Sequence, residues 1–292
     1  MTKCGSLHFL GIFLSNEEKM KEELVLEAGK TEKTYWKDLW RYRELFLFLA
    51  WRDVIVRYKQ TVIGLAWALL RPFITMVIFT VVFGHIAGLS KGDTPYALLV
   101  FSALLPWQFF SSTFSEASNS LIGNAGMISK VYFPRLVIPM SSGVVGLVDF
   151  LISFIILGGL LIWYQWMPSA TIIFLPLFIL AALIIALGGG IWVSALTVRY
   201  RDFRFITPFI VQMGLYVSPV GFSSETIPEK WRLLYSLNPM VGVIDGFRWA
   251  ILGNTAPIYW PGFMLSMMLS ILFLWSGIRY FRSTEKTFAD II

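Results

Sequence analysis

Six long apolar runs alternate along this chain with shorter polar stretches, near 62–83, 97–115, 138–163, 172–198, 205–220 and 258–280. A helix rises ~1.5 Å per residue and the hydrocarbon core of a bilayer is ~30 Å thick. Each run is long enough to cross, the one at 205–220 only barely. Two stretches fit neither pattern. Residues 35–60, YWKDLWRYRELFLFLAWRDVIVRYKQ, interleave aromatic with basic positions. At helical spacing Trp36, Leu39, Trp40, Phe46, Leu49 and Val56 share one side, with Lys37, Arg41, Arg52 and Lys59 elsewhere. That pattern suits a helix lying in the membrane interface. Residues 221–257 are too apolar for a solvated loop and too charged for a span, and Pro228, Pro239 and Gly246 punctuate them. Two short helices dipping into the outer leaflet satisfy such a segment, because irregular backbone at that depth must be buried in protein or line an aqueous cavity.

The expected fold is therefore all-α and integral to the membrane. It has six transmembrane helices, an N-terminal interfacial helix and short re-entrant helices before the last span. The chain divides into a polar tail (1–34), the interfacial helix (35–60), the transmembrane domain (61–280) and a second tail (281–292). Composition agrees: 57% of residues are apolar and 14% charged, where a soluble domain carries about 25% charge.

The distribution of charge adds an orientation. Six spans place both termini on one side, and that side collects nineteen of the 24 Lys and Arg, eleven of them in residues 1–60. Four fall on the other side, and Arg71 lies inside the first run. Positive charge stays in the cytoplasm, so both termini are expected there. The net charge of +6 is then a topology signal and implies no nucleic-acid partner. Cys4 alone allows no internal disulfide and no paired-cysteine metal site, and His8 and His85 are isolated. The apolar run at 7–14 is followed by Glu17 and Glu18 without a small-residue cleavage site, so no removal is expected.

Three stretches carry a resemblance. WRDVIVRYKQTVIGLAWALLRPF (51–73) enters the first span, VRYRDFRFITPFIVQMGLYVSPV (198–220) joins the fourth and fifth, and LNPMVGVIDGFRWAILG (237–253) precedes the sixth. In this order, over residues 35–285, the chain resembles the ABC-2 type permeases that export O-antigen, capsule and teichoic-acid polysaccharides. The resemblance implies a homodimer in the bacterial inner membrane, paired with two copies of a separate ATPase and handling a lipid-linked polysaccharide. The ATP and Mg would belong to the partner, and this chain would hold no cofactor. Independently of the resemblance, the phosphate-cradling run GxxxxGK followed by Ser or Thr is missing from the sequence.

The resemblance also implies that the loop between spans two and three, 118–135, contacts the ATPase. A short helix around 121–128 with Leu121 and Ile128, then Lys130, Tyr132 and Phe133, suits that role. Sugar faces stack on aromatic rings without a fixed register, so a polymer path wants rings beside hydroxyls. Trp67, Phe73, Trp107, Phe109, Phe110, Ser112 and Tyr216 are the candidates. Asn238, Pro239, Asp245 and Arg248 mark the gate-like segment, where Asp245 and Arg248 stand one helical turn apart and could pair. Arg71, Glu116 and Asp149 are costly inside a membrane. They read as a structural pairing of Arg71 with one of the carboxylates, as Arg71 reaching towards cytoplasmic water, or as a proton relay.

Two other functions fit parts of this pattern. An ion-gradient-driven secondary transporter would make the intramembrane carboxylates central. A membrane glycosyl or acyl transferase would concentrate acids at the surface, where only Asp93, Glu225, Glu229 and Asp245 are scattered.

Overall fold

The computed structural model describes residues 35–59, 62–89 and 94–288. The expected tail 1–34, with Cys4 and the run at 7–14, lies outside the described residues, as do Lys91, Asp93 and 289–292. The chain forms two compact units, residues 1–38 and 39–292. Of the first, only the opening turn of α1 (Tyr35–Arg41) is described.

Every regular element among the described residues of the second unit is helical. After α2 (Arg43–Lys59) come α3 (Val62–Phe79), continued by a π-helical stretch at Thr80–Ile86, then α4 (Tyr96–Gly123) and the single turn α5 (Ala125–Ile128). The chain goes on through α6 (Val137–Trp163), α7 (Leu175–Arg199), α8 (Phe203–Val217), α9 (Glu229–Tyr235), α10 (Pro239–Leu252) and α11 (Trp260–Thr284). Five of these are long and apolar enough to cross a membrane: α3 with its π-helical end, α4, α6, α7 with the 3-10 turn before it, and α11. The chain is a multi-pass membrane protein.

The run expected as a fifth span is corrected in length. Helix α8 has 15 residues, ~22 Å of rise against a ~30 Å core. It stops because Ser218 precedes Pro219: a residue before proline is pushed out of the helical region, and Ser218 is extended at ψ 152°. The two short helices expected in 221–257 are present as α9 and α10.

Helix α4 is the hub, packed by α6, α7, α10, α3 and α8. Its 28 residues rise ~42 Å, longer than the ~30 Å core that an upright helix needs to cross. Small residues let the helices approach where lipid gives no hydrophobic drive. A Cβ on Gly188 of α7 would lie 2.7 Å from the backbone nitrogen of Leu274 in α11. The aromatic core is continuous from Phe109 through Phe150 and Phe247 to Phe178 and Phe263.

Helix α2 lies against α6, burying Leu49 and Ala50. Of the side expected to be apolar, Trp36, Trp40 and Val56 are exposed, together with Leu47, Phe48 and Trp51. Apolar side chains of α2 thus lie on its exposed side as well as on its bundle-facing side, in place of the single apolar face read from spacing.

Candidate functional site

Where α2 meets α4 and α6, the bundle holds a connected polar cluster. Asp149, midway along α6, would be costly if left unpaired. Tyr58 donates its phenol proton to one carboxylate oxygen of Asp149. Ser112 donates to the other at 3.0 Å, which Arg57 also reaches at 3.0 Å. Arg57 extends its second nitrogen to Glu116 at 3.3 Å. Burial first, then the hydrogen bond and negative charge of Asp149, hold the Tyr58 phenol well above its ordinary value, so it remains a donor. One turn earlier Arg52 reaches Asn124, at the end of α4, at 2.8 Å. Helix α2 is thus tied to α4 and α6 by side chains rather than by apolar burial alone.

This corrects the pairing expected for Arg71. Both carboxylates are engaged by Arg57, from outside the spans, while Arg71 is exposed and its carbonyl accepts from Thr75 at 2.8 Å. Sequence reasoning placed Arg57 and Tyr58 on the interfacial helix and gave neither a partner. Their position one turn before the first span was the available signal.

The loop at 118–135 divides into a buried and an exposed half. Helix α4 runs on to Gly123, and α5 is one turn rather than a helix over 121–128. Leu121, Ile128 and Phe133 are buried and anchor the loop to the bundle, whereas Lys130, Val131 and Tyr132 are exposed. At its far end the backbone N–H of Arg135 donates to the Glu285 carboxylate at 2.8 Å, and the Arg135 guanidinium donates to the Glu285 carbonyl. The loop is thereby hydrogen-bonded to the residue that follows α11.

At the opposite end, the turn after α8 has its carbonyls captured. Arg248 of α10, 2% exposed, donates to Val220 at 3.0 Å, Phe222 at 2.8 Å and Leu99 at 3.2 Å. Tyr96 donates to the Gly221 carbonyl, and Tyr235 donates to that of Val217 at 2.7 Å. Asn238 caps α10, its Oδ1 accepting from the Met240 N–H at 3.1 Å while its amide donates to Ser218 Oγ at 2.9 Å. Pro239 takes the first helical position, where its missing N–H costs nothing. Irregular backbone at depth is satisfied in the way a membrane protein requires.

The local pairing expected between Asp245 and Arg248 is corrected: no ion pair joins them among the described residues, because the guanidinium is spent on carbonyls. Asp245 instead lines a small cavity of about 170 Å³ with Ser224, Glu225, Arg232 and Tyr235 on its polar side and Val241 and Ile258 on its apolar one. Burial pushes its carboxyl up to about 6 despite the nearby Arg248 charge.

The aromatic candidates separate. Trp107 and Phe109 are core residues, 4% and 1% exposed. The Trp107 ring covers Gly214 of α8, where a Cβ would lie 2.6 Å from it, and Phe110 stacks on Phe114 at 5.5 Å. Ser112 is committed to Asp149. Phe73 lines a groove between α3 and α6. Trp67 and Tyr216 stand exposed on α3 and α8. The structure does not bring these seven residues into one site. On α8, only Thr207 is buried, while Phe205, Phe209, Met213 and Tyr216 are exposed.

Residues 44–252 match the ABC-2 type transporter family. The chain is 26% identical over 258 residues to the O-antigen export system permease protein RfbA of Myxococcus xanthus, covering 88% of this chain and 98% of that protein. A Klebsiella pneumoniae protein of the same name is 26% identical over 256 residues, covering 85% and 95%. The polysialic acid transport protein KpsM of Escherichia coli is 24% identical over 252 residues, covering 82% and 92%.

Proposed function

The chain belongs to the ABC-2 type transporter family, and from that membership we propose that it is the permease subunit of an ATP-driven exporter. Its cargo is a lipid-linked polysaccharide of the O-antigen type, moved across a bacterial cytoplasmic membrane with both termini inside. The similarity to two O-antigen export permeases over nearly their whole length carries the reading. The sequence has no nucleotide-cradling run of its own, so ATP and Mg belong to two copies of a separate ATPase. The exposed half of the loop, Lys130 to Tyr132, is where that subunit docks; Leu121, Ile128 and Phe133 hold the loop to the bundle beneath it.

Helix α8 supports a homodimer. It is too short to span and exposed around most of its girth, with Gln212 set among the apolar residues of that surface. A second copy covers it, and the exposed faces around Trp67 and Tyr216 line the polymer path between the copies. Helix α8 and the clamped turn after it make the sixth crossing together, with α9 and α10 as the outer gate. A proton relay is the weaker reading, because Asp149 and Glu116 share Arg57 as an ion-pair partner.

The test is co-expression with the ATPase and reconstitution in vesicles. Polymer export and polymer-stimulated ATP hydrolysis are expected with the wild type. Tyr132→Ala should lower the stimulation while leaving yield and insertion unchanged. ATP hydrolysis by the purified permease alone would overturn the proposal.

A further inference from the structure

An apolar groove of about 530 Å³ opens between α3 and α6 at the end away from the basic loops. Its volume lies in the range of small-ligand sites. Phe73, Met76 and Val81 form one wall, Ile156 and Leu160 the other, and Ala97 of α4 lies beneath. The nine positions from Phe73 to Val81 rise ~12 Å, close to the depth of one leaflet's hydrocarbon.

Two features show that the space is built. Gly159 lies one turn before the C-terminal end of α6 and lines the groove, and a Cβ there would meet nothing within 4 Å. Glycine here leaves room in the groove that a larger side chain would occupy. Across the groove the backbone of α3 passes into a π-helical stretch at Thr80, a geometry that recurs at functional sites. The buried Thr80 hydroxyl has no hydrogen-bond partner among the described residues.

We propose that this groove seats one acyl chain of a bilayer phospholipid. The chain would lie along the Gly159 floor with its ester end towards Trp163 and Tyr164. Those two aromatics end α6 at the groove mouth and are exposed, the position at which such rings mark the headgroup level. An apolar trough of one-leaflet depth, open beside lipid-facing Ile155 and Ile162, matches a hydrocarbon tail. Its lining is mostly apolar, and the side chains there that carry a polar atom are Thr80 and, at the mouth, Trp163 and Tyr164. The inference requires only that the chain sits in a bilayer and is independent of polymer export.

The test uses the full chain in vesicles doped with phosphatidylglycerol carrying a photoactivatable diazirine in one acyl chain, without ATPase or polymer. Adducts are mapped by peptide mass spectrometry. The wild type should label residues 73–81 and 156–164 above the exposed face of α11 at Ile271 and Trp275. Gly159→Leu should lose that excess, because its side chain fills the trough. Gly158→Leu should keep it: Gly158 is equally open yet does not line the groove, so the two variants share any gain in helix propensity. Equal labelling in both variants would overturn the proposal. So would crosslinks between two copies across the groove, or labelling that a free isoprenoid phosphate competes away and added phosphatidylglycerol does not.

Discussion

Removing the Tyr58 hydroxyl should release α2 from the bundle without unfolding the bundle. The phenol is partly buried and donates to an ionised carboxylate, and such bonds contribute about 1.5–3 kcal/mol. Arg57 adds less: its side chain is 36% exposed, so screening holds each of its pairs below about 1 kcal/mol. Tyr58→Phe is therefore expected to weaken docking of α2 by about 2 kcal/mol, a roughly 30-fold shift in its opening equilibrium. Hydrogen exchange of the Arg43–Lys59 amides in nanodiscs reads that opening, and amides of α4 and α7 serve as the internal standard. Asp149→Asn should act in the same direction. Combined, the two changes should cost clearly less than their sum, because they remove one interaction. Unchanged exchange in α2 for both variants, or strictly additive effects, would refute the assignment of this cluster as the tether.

Two further outcomes follow from burial. Trp107→Ala empties the space above Gly214 and should cost about 3–5 kcal/mol, the usual range for a buried large aromatic; thermal denaturation in detergent checks this. Tyr216→Ala, on the exposed surface, should keep the wild-type midpoint and slow export in vesicles. The outer helices α9 and α10 should also respond to pH. The Asp245 pKa is raised from 3.8 to about 6, so the folded state holds the proton more tightly than the unfolded one. Its favourable contribution is complete below the ordinary value and is lost as pH rises through about 6. Exchange in Glu229–Leu252 should accelerate from about pH 5 to about pH 8 beyond the intrinsic chemical rate. Asp245→Asn should abolish that excess, and an excess that persisted in the variant would contradict it.

The long spans were legible because hydrocarbon imposes a length and a composition on any helix that crosses it. What could not be read depended on neighbours distant in sequence. Helix α8 ends early, yet Pro219 and Val220 are apolar, so hydropathy alone carried the run through the turn. Trp107 looks like a pore aromatic beside Ser111 and Ser112, and only Gly214 in another helix makes it core. Arg71 had the right charge and depth to pair with Asp149. Arg57 takes that place because α2 folds back against α6, which no local pattern reveals. Leu121 and Ile128 were placed in the right loop, but α4 runs on to Gly123 and turns them inward, leaving Tyr132 outside.

The captured turn at 217–222 sets how the outer end can move. Tyr96, Tyr235, Asn238 and Arg248 reach it from α4, α9, the cap of α10 and α10 itself, so no one element can slide while the rest stay still without stranding a carbonyl in a dry place. Tilting α8 by a few degrees would drag the whole knot along, as a door carries its frame when the hinge is welded. Widening at this end is therefore expected as a collective swing of intact pieces, with the slack taken up at Gly253, whose positive φ of 68° marks the joint where α10 hands over to the last helix.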